Sequence, residues 1–326
     1  MLTAVKTCLA TVALLLLAGC GSRADSSGPS IAGVPYHNPV FARDFPDPYV
    51  LRLGPHNYYA YATSTGWERG YFPILHSSDA VHWKYVGDIF SLQNRPMWSE
   101  ADYWAPDVIR RGHTYYAYVV GSISGTHCIG VATSSSPIGP FKDRGTVGCA
   151  YPDGSGFIDP DVYLAPSGAA YLYVSVDTPH HIAVMPLDHS LLHRKGAGRK
   201  LFGVTQSWES GPDFTTVEGP YLFKHGGLYY LLYSGNSYNT NYAEGYATSR
   251  SATGPFTKCT CNPVLKGNSR VKGPGGGSVF TGPDGRLWLA YHGWGTIEGY
   301  DQGGARSLRL APLVWHGARL SIPVTP

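Results

Sequence analysis

The 326-residue chain is short of charge. Only 14% of its residues are Asp, Glu, Lys or Arg, and the formal net charge is +3. No dense Lys/Arg stripe runs along it, which argues against a nucleic-acid partner. No long helical pattern of apolar residues is present. There is no Gly-x-Ser-x-Gly segment, which disfavours a serine hydrolase of the nucleophile-elbow type. There is no His-Glu-x-x-His, and His180-His181 lacks helical context, so that pair reads as surface loop rather than as a zinc site. The apolar run at residues 9–19, LATVALLLLAG, is too short for a comfortable membrane span.

That short run reads instead as a targeting segment, with Lys6 supplying the positive region before it. It ends Leu17-Ala18-Gly19-Cys20, which resembles a bacterial lipobox. The expectation is a signal peptide over 1–20, with Cys20 acylated and becoming the first residue of the mature protein. The alternative is an ordinary signal peptide with an incidental cysteine. Residues 21–35 read as a flexible tether and 36–326 as the folded domain. The protein is then expected outside the cytoplasm, a monomer held at the membrane through its lipid only. Export would place the remaining cysteines in an oxidising compartment. Cys128 and Cys149, 21 residues apart, are a plausible bridge, and closing that loop would contribute roughly 3 kcal/mol by chain entropy. Two buried thiols are the other reading. Cys259 and Cys261 stand too close together to assign, and no further ligands at zinc-like spacing accompany them.

What the chain has in quantity is aromatics and turn residues: 24 Tyr, 8 Trp, 41 Gly and 25 Pro. That mix suits many short strands joined by turns. One theme recurs five times: an apolar strand, a turn containing Gly, then an aromatic strand. Its landmarks Tyr58, Tyr115, Tyr171, Tyr229 and Trp288 fall 56–59 residues apart, and five such units fill the chain from about residue 38. Segments such as ILHSSDAVHWKYVG and GYATSRSATGPFTK add a third strand, a polar turn and an outer strand. Each unit therefore reads as a four-stranded antiparallel sheet. No single sheet buries both faces, but five packed radially do. The expected fold is all-β, a five-bladed β-propeller.

In a propeller the first strand of each blade lines the axis, so residues just before each aromatic hairpin converge. Asp47 lies 11 residues before Tyr58, Asp159 lies 12 before Tyr171, and Glu218 lies 11 before Tyr229. The corresponding places in the other two blades hold Ala105 and Gly277, which leave room. Acids facing a core are costly unless paired or functional. Three around one funnel repel one another and spread their pKa values, as a general acid and base require. Turn-capping or metal-holding acids are the blander reading, and a single Asp-Pro alone would favour it.

These residues resemble glycoside hydrolase family 43 from about Asn38 to Pro312. The resemblance implies roles for Phe45-Pro46-Asp47-Pro48 as general-base motif, Ile158-Asp159-Pro160-Asp161 as carrier of the acid that tunes and orients the proton donor, and Val217-Glu218-Gly219-Pro220 as general-acid motif. Trp104-Ala105-Pro106-Asp107 is similar to a further hallmark beside the sugar pocket. Trp104 either offers the sugar an apolar face or packs between blades. Arg306 matches a late arginine aimed into the site, to bind a sugar hydroxyl or to pair with Asp159. The family implies inverting hydrolysis of a carbohydrate substrate containing arabinose or xylose, with an α-L-arabinofuranosidase or arabinanase preferred. No cofactor is required by this chemistry. Gly276 departs from the pattern: the resemblance implies there a histidine that helps to hold a calcium on the axis, so that cation is in question here, with His292 and water as the alternative ligands. The competing reading is a sugar-capturing propeller lipoprotein without catalysis, which would have no need of the three acids.

Overall fold

The computed structural model describes residues 28–177, 180–212 and 214–325. Cys20, the 1–20 segment and residues 21–27 lie outside the described residues. Five antiparallel sheets stand in a ring. Blade one runs Tyr49–Gly54, Asn57–Tyr61, Tyr71–Ser77 and Lys84–Phe90 from axis to rim. Blades two, three and four repeat that meander from Asp107–Arg111, Phe157–Leu164 and Val217–His225. Blade five is composite. Its first three strands are Lys272–Thr281, Leu287–Trp294 and Arg306–Pro312, but its outer strand is Phe41–Asp44 from the N-terminal end. The five linear units are thus not five complete blades. The last unit lacks an outer strand, and the first supplies it through Ser307–Asp44 and Leu308–Phe41 pairing. The residues just before this strand are also folded. Ser30–Ile31 pairs with Val34–Pro35, and Ile31 is fully buried against the core of blades one and five. The described end of the expected tether therefore belongs to the domain.

Strand alternation explains why blades pack on both faces. On the second strand of blade two, Ala117 and Val119 join a cluster with Phe72 and Ile74 of blade one. Their neighbours Tyr118 and Val120 point the other way, to Val162 and Leu172 of blade three. Side chains with a period of two thus feed two cores. Five such apolar clusters fill the five gaps between blades. Each fully buried Leu, Val or Phe in them contributes roughly 1.5–3 kcal/mol. Cys128 is bonded to Cys149 within blade two, and Cys259 to Cys261 within blade four.

The axis itself is polar. Asp107 Oδ2 accepts the Val162 N–H at 2.6 Å, and Asp161 Oδ2 accepts the Leu222 N–H at 2.8 Å. The Tyr221 hydroxyl donates to the Val279 carbonyl at 2.6 Å, and Ser278 Oγ accepts the Val50 N–H at 3.1 Å. Each bond passes from one blade to the next, so inner strands that cannot pair edge to edge are stitched by side chains instead.

Candidate active site

One backbone feature repeats where each inner strand begins. Asp47, Ala105, Asp159, Gly219 and Gly276 all take positive φ, between 42° and 60°. Left-handed backbone costs a non-glycine residue about 1–2 kcal/mol, so Asp47 and Asp159 hold it against a local penalty. This five-fold mark revises the expected register. Glu218 stands one residue before the left-handed position of its blade, and the open place in blade five is Gly276 rather than Gly277. The hairpin of blade one is one residue longer than that of blade four, so the two shifts cancel in the sequence spacing.

Asp47 is held as an anion. Thr63 Oγ1 donates to its Oδ2 at 2.6 Å, and the same hydroxyl accepts the Ala105 N–H at 2.7 Å. Arg306 lies 3.8 Å from Oδ1. His292 Nδ1 accepts the Asp47 backbone N–H at 3.0 Å and sits 3.3 Å from Oδ1. Burial pushes this carboxyl up, but the Arg306 charge and the Thr63 hydrogen bond outweigh it and hold Asp47 well below the usual range. Burial in turn lowers the His292 pKa, which keeps that imidazole neutral.

Glu218 is held the opposite way. Burial, with the Asp47 charge adding to it, raises its carboxyl to about 7. The Tyr242 hydroxyl donates to Oε1 at 2.7 Å, and Thr216 Oγ1 approaches Oε2 at 3.4 Å. Asp159 is raised well above its ordinary value by burial and by the Glu218 charge. Its Oδ2 accepts the Gly219 N–H and the Ser175 hydroxyl, both at 3.0 Å. Asp159 therefore grips the residue next to Glu218 and fixes the peptide that carries it. Two adjacent buried acids retain a proton that one alone would lose.

These three acids, Trp104 and Arg306 all line one funnel of about 460 Å³ at one end of the axis. Trp104 is 36% exposed and faces this space, its ring 4.9 Å from His127. Arg306 does not pair with Asp159, one of the two roles expected of it; its ionic partner is Asp47. Its guanidinium lies 5.1 Å from the Tyr238 ring and 5.5 Å from the Tyr300 ring, and its Nε donates to the Tyr300 hydroxyl at 2.9 Å. Phe214 and His180 add to the funnel wall.

Thr63 and Tyr242 were not singled out in the sequence, and His292 stood there only as a possible ligand for the axial cation. They arrive from second and third strands, or from beside them, where each reads as an ordinary strand residue. The nearest available signal was the glycine run at 273–277. A Cβ at Gly275 would lie 2.4 Å from the Tyr242 ring. One at Gly276 would lie 2.7 Å from His292 and 2.8 Å from Asp47 Oδ1. The glycines make room for the two rings, which stack nearly parallel with centroids 5.7 Å apart. This also bears on calcium. A side chain at 276 would crowd His292 and Asp47, and among the described residues no group of three His, Cys, Asp or Glu is placed to hold a metal. No step below is routed through a cation.

The profile of Glycosyl hydrolases family 43 matches residues 36–318. A non-reducing-end α-L-arabinofuranosidase of Bacteroides ovatus is 29% identical over 88% of this chain and 53% of its own length. A β-D-galactofuranosidase of Aspergillus niger is 32% identical over 78% of this chain and 75% of its own. The chain thus spans about half of the first relative and three quarters of the second. The crystal structure of a thermostable family-43 glycoside hydrolase superposes with a TM-score of 0.80 at 31% identity, covering 89% of this chain and 96% of that one.

Proposed function

The chain belongs to Glycosyl hydrolases family 43, and from that premise we propose that it cleaves α-L-arabinofuranosides from plant-type polysaccharides or their fragments with inversion at the anomeric carbon. The carrying observation is the opposite treatment of two acids in one funnel: Asp47 held ionised, Glu218 held up to about 7. Glu218 donates its proton to the leaving glycosidic oxygen as the C1–O bond breaks. Asp47 takes a proton from water as that water bonds to C1 from the opposite face. Inverting enzymes keep such carboxyls roughly 6.5–9.5 Å apart to admit the water. Tyr242 holds Oε1 of Glu218 at 2.7 Å, while only the longer Thr216 contact at 3.4 Å meets Oε2, so Oε2 is the oxygen freer to carry the proton.

The sugar preference rests on chemistry shared by the two relatives. α-L-Arabinofuranose and β-D-galactofuranose are both five-membered rings with C1 and C2 substituents trans. Trp104 and Phe214 offer such a ring apolar faces, while Arg306 offers donors to a hydroxyl. The test is hydrolysis of an aryl α-L-arabinofuranoside by wild type and Glu218→Ala, with the product anomer followed by NMR. The variant should fail on natural glycosides yet retain activity where an acidic phenol leaves unprotonated. Retention of configuration, or equal loss on both substrates, would overturn the assignment.

We further propose that the protein is exported and anchored through Cys20. Support comes from the lipobox-like Leu17-Ala18-Gly19-Cys20 alone. Cell fractionation of wild type and Cys20→Ser, with mass analysis of the N-terminal peptide, tests it. Wild-type protein free in the medium without lipid mass would refute it.

A further inference from the structure

Arg306 supplies the charge beside Asp47, yet it stands at the very edge of its own element. It is the first residue of the strand Arg306–Pro312, and a loop with the short turn Tyr300–Gln302 leads into it. In an antiparallel strand the N–H and C=O of one residue point to the same neighbour. For Arg306 that neighbour is the N-terminal segment that closes blade five. Its carbonyl accepts the Phe45 N–H at 2.9 Å. Its N–H donates to a side chain, Asp44 Oδ1, at 2.7 Å, between residues 262 apart in the chain.

Asp44 is itself anchored, since its carbonyl accepts the Trp67 indole N–H at 2.6 Å. Burial raises its carboxyl, and the Arg306 charge and the Tyr300 hydroxyl partly offset that rise. The Tyr300 hydroxyl also accepts Arg306 Nε–H at 2.9 Å, and its ring stands edge-on to the buried Trp294 with centroids 5.0 Å apart. A long side chain keeps one geometry only where both its root and its head are fixed, because each free rotor costs entropy to order. Asp44 fixes the root and Tyr300 the head, which then lies 3.8 Å from Asp47 Oδ1. Tyr300, Arg306 and Asp47 line the funnel, whereas Asp44 is not part of its wall.

We propose that Asp44 is a positioning residue for the reaction: it roots Arg306 so that the guanidinium stands against Asp47. The proposal rests on the glycosidase reading of the funnel, in which Asp47 activates water. Closure of the propeller and assembly of the base then become one event, because the strand that completes blade five also carries the group that places Arg306.

The test measures kcat and KM on an aryl α-L-arabinofuranoside for Asp44→Ala, Asp44→Asn, Arg306→Ala, and Asp44→Ala combined with Arg306→Ala, each well below its own melting temperature. Asp44→Ala should lower kcat roughly tenfold to a hundredfold, the scale of a small misplacement at a reacting centre. Asp44→Asn keeps an oxygen for the Arg306 N–H and should recover most of that loss. In the Arg306→Ala background, Asp44→Ala should cost little more, because two side chains that act through one another do not add. Fully additive losses, or an Asn variant as poor as the Ala one, would overturn the positioning role. The NMR signal of the Arg306 Nε–H, assigned by its disappearance in Arg306→Ala, gives a readout independent of turnover. It should be sharp and slow to exchange with solvent in wild type and Asp44→Asn, and broad or fast to exchange in Asp44→Ala. If wild type hydrolyses nothing yet the signal responds in this way, the positioning stands and the catalytic reading fails. If the signal is unchanged in Asp44→Ala, the positioning role fails whatever the kinetics.

Discussion

Two rings of polar side chains circle the axis, one above the other on the same inner strands. In the upper ring Asp47, Asp159 and Glu218 face a funnel. In the lower ring Asp107 and Asp161 are 0% and 5% exposed, and each spends an oxygen on the backbone N–H of the next blade. Asp159 and Asp161 stand only two residues apart on one strand. A buried acid near the axis is therefore no sign of catalysis. What sets Asp47 and Glu218 apart is that hydroxyls and Arg306 meet their carboxylates, whereas Asp107 and Asp161, like Asp159, each hold a backbone N–H of the next blade.

The largest effect that separates the rings is loss of the base. Asp47→Ala should lower kcat by roughly 10²–10⁴-fold, even with an activated leaving group, while circular dichroism and melting temperature stay close to wild type. Its left-handed backbone adds no loss, because alanine already occupies the equivalent place at Ala105. Near-normal activity in a folded variant would end the assignment of the upper ring. Asp107→Ala should do the reverse. It leaves the Val162 N–H buried without an acceptor, a loss of about 1–3 kcal/mol, visible in chemical denaturation. The folded fraction should keep wild-type kcat. Asp107→Asn, which retains an acceptor oxygen, should recover much of the stability.

Acidity sharpens the same contrast. Burial raises Asp161 to about 8 and Asp107 well above its ordinary range, with Asp161 adding to the latter. A carboxyl raised on folding contributes stability that is full below its unfolded pKa and is lost as pH rises through the folded value. Melting temperature should therefore fall as pH rises towards and past about 8. Asp161→Asn should flatten that slope without moving the pH profile of catalysis. An unchanged slope would show that the lower ring does not hold its proton.

Much of this organisation was legible before any coordinates, because each blade is local. The hairpin repeat, the aromatic landmarks and the acids that precede them lie within some twenty residues of each other. What escaped is long-range or compensated. The Phe41–Asp44 strand closes blade five across the whole chain, and a count of linear units cannot reveal that. The offset of Glu218 was hidden because a longer turn in blade one restored equal spacing. Arg306 carried two expected partners, and only folding could bring it to Asp47. Tyr242 and His292 sit in strand-like contexts, and the glycines that accommodate them read simply as a departure from the family pattern.

A smaller effect concerns the acid alone, and two substitutions should move it in opposite directions. In the proposed mechanism Glu218 acts in its protonated form, so its pKa sets the basic limb of the profile. Asp159→Asn breaks the pair of carboxyls that together retain a proton, and the limb should move to lower pH. Tyr242→Phe removes a hydrogen bond that favours the carboxylate, and the limb should move to higher pH. A merely structural role for Tyr242 would lower kcat at all pH values without shifting the limb. Shifts in the same direction would show that the two side chains do not act on Glu218 separately.

The smallest expected effect is that of a chelator, and it asks whether the two rings are divided by a metal. His292 comes from the second strand of blade five and fills, with Asp47, the space above Gly276. Its Nδ1 is taken by the Asp47 N–H, so the ring proton sits on Nε2, which is buried without a partner among the described residues. A water there would accept that proton, whereas a cation would need the bare nitrogen lone pair. With the proton on Nε2, the expectation is that no cation is bound there. Treatment with a calcium chelator should change kcat and melting temperature only slightly, and added calcium should restore nothing measurable. If activity collapsed and returned with calcium alone, His292 would have to present Nε2 unprotonated. His292→Gln, which keeps an acceptor but cannot take the second tautomer, would then separate the metal's effect from the packing of the ring against Tyr242.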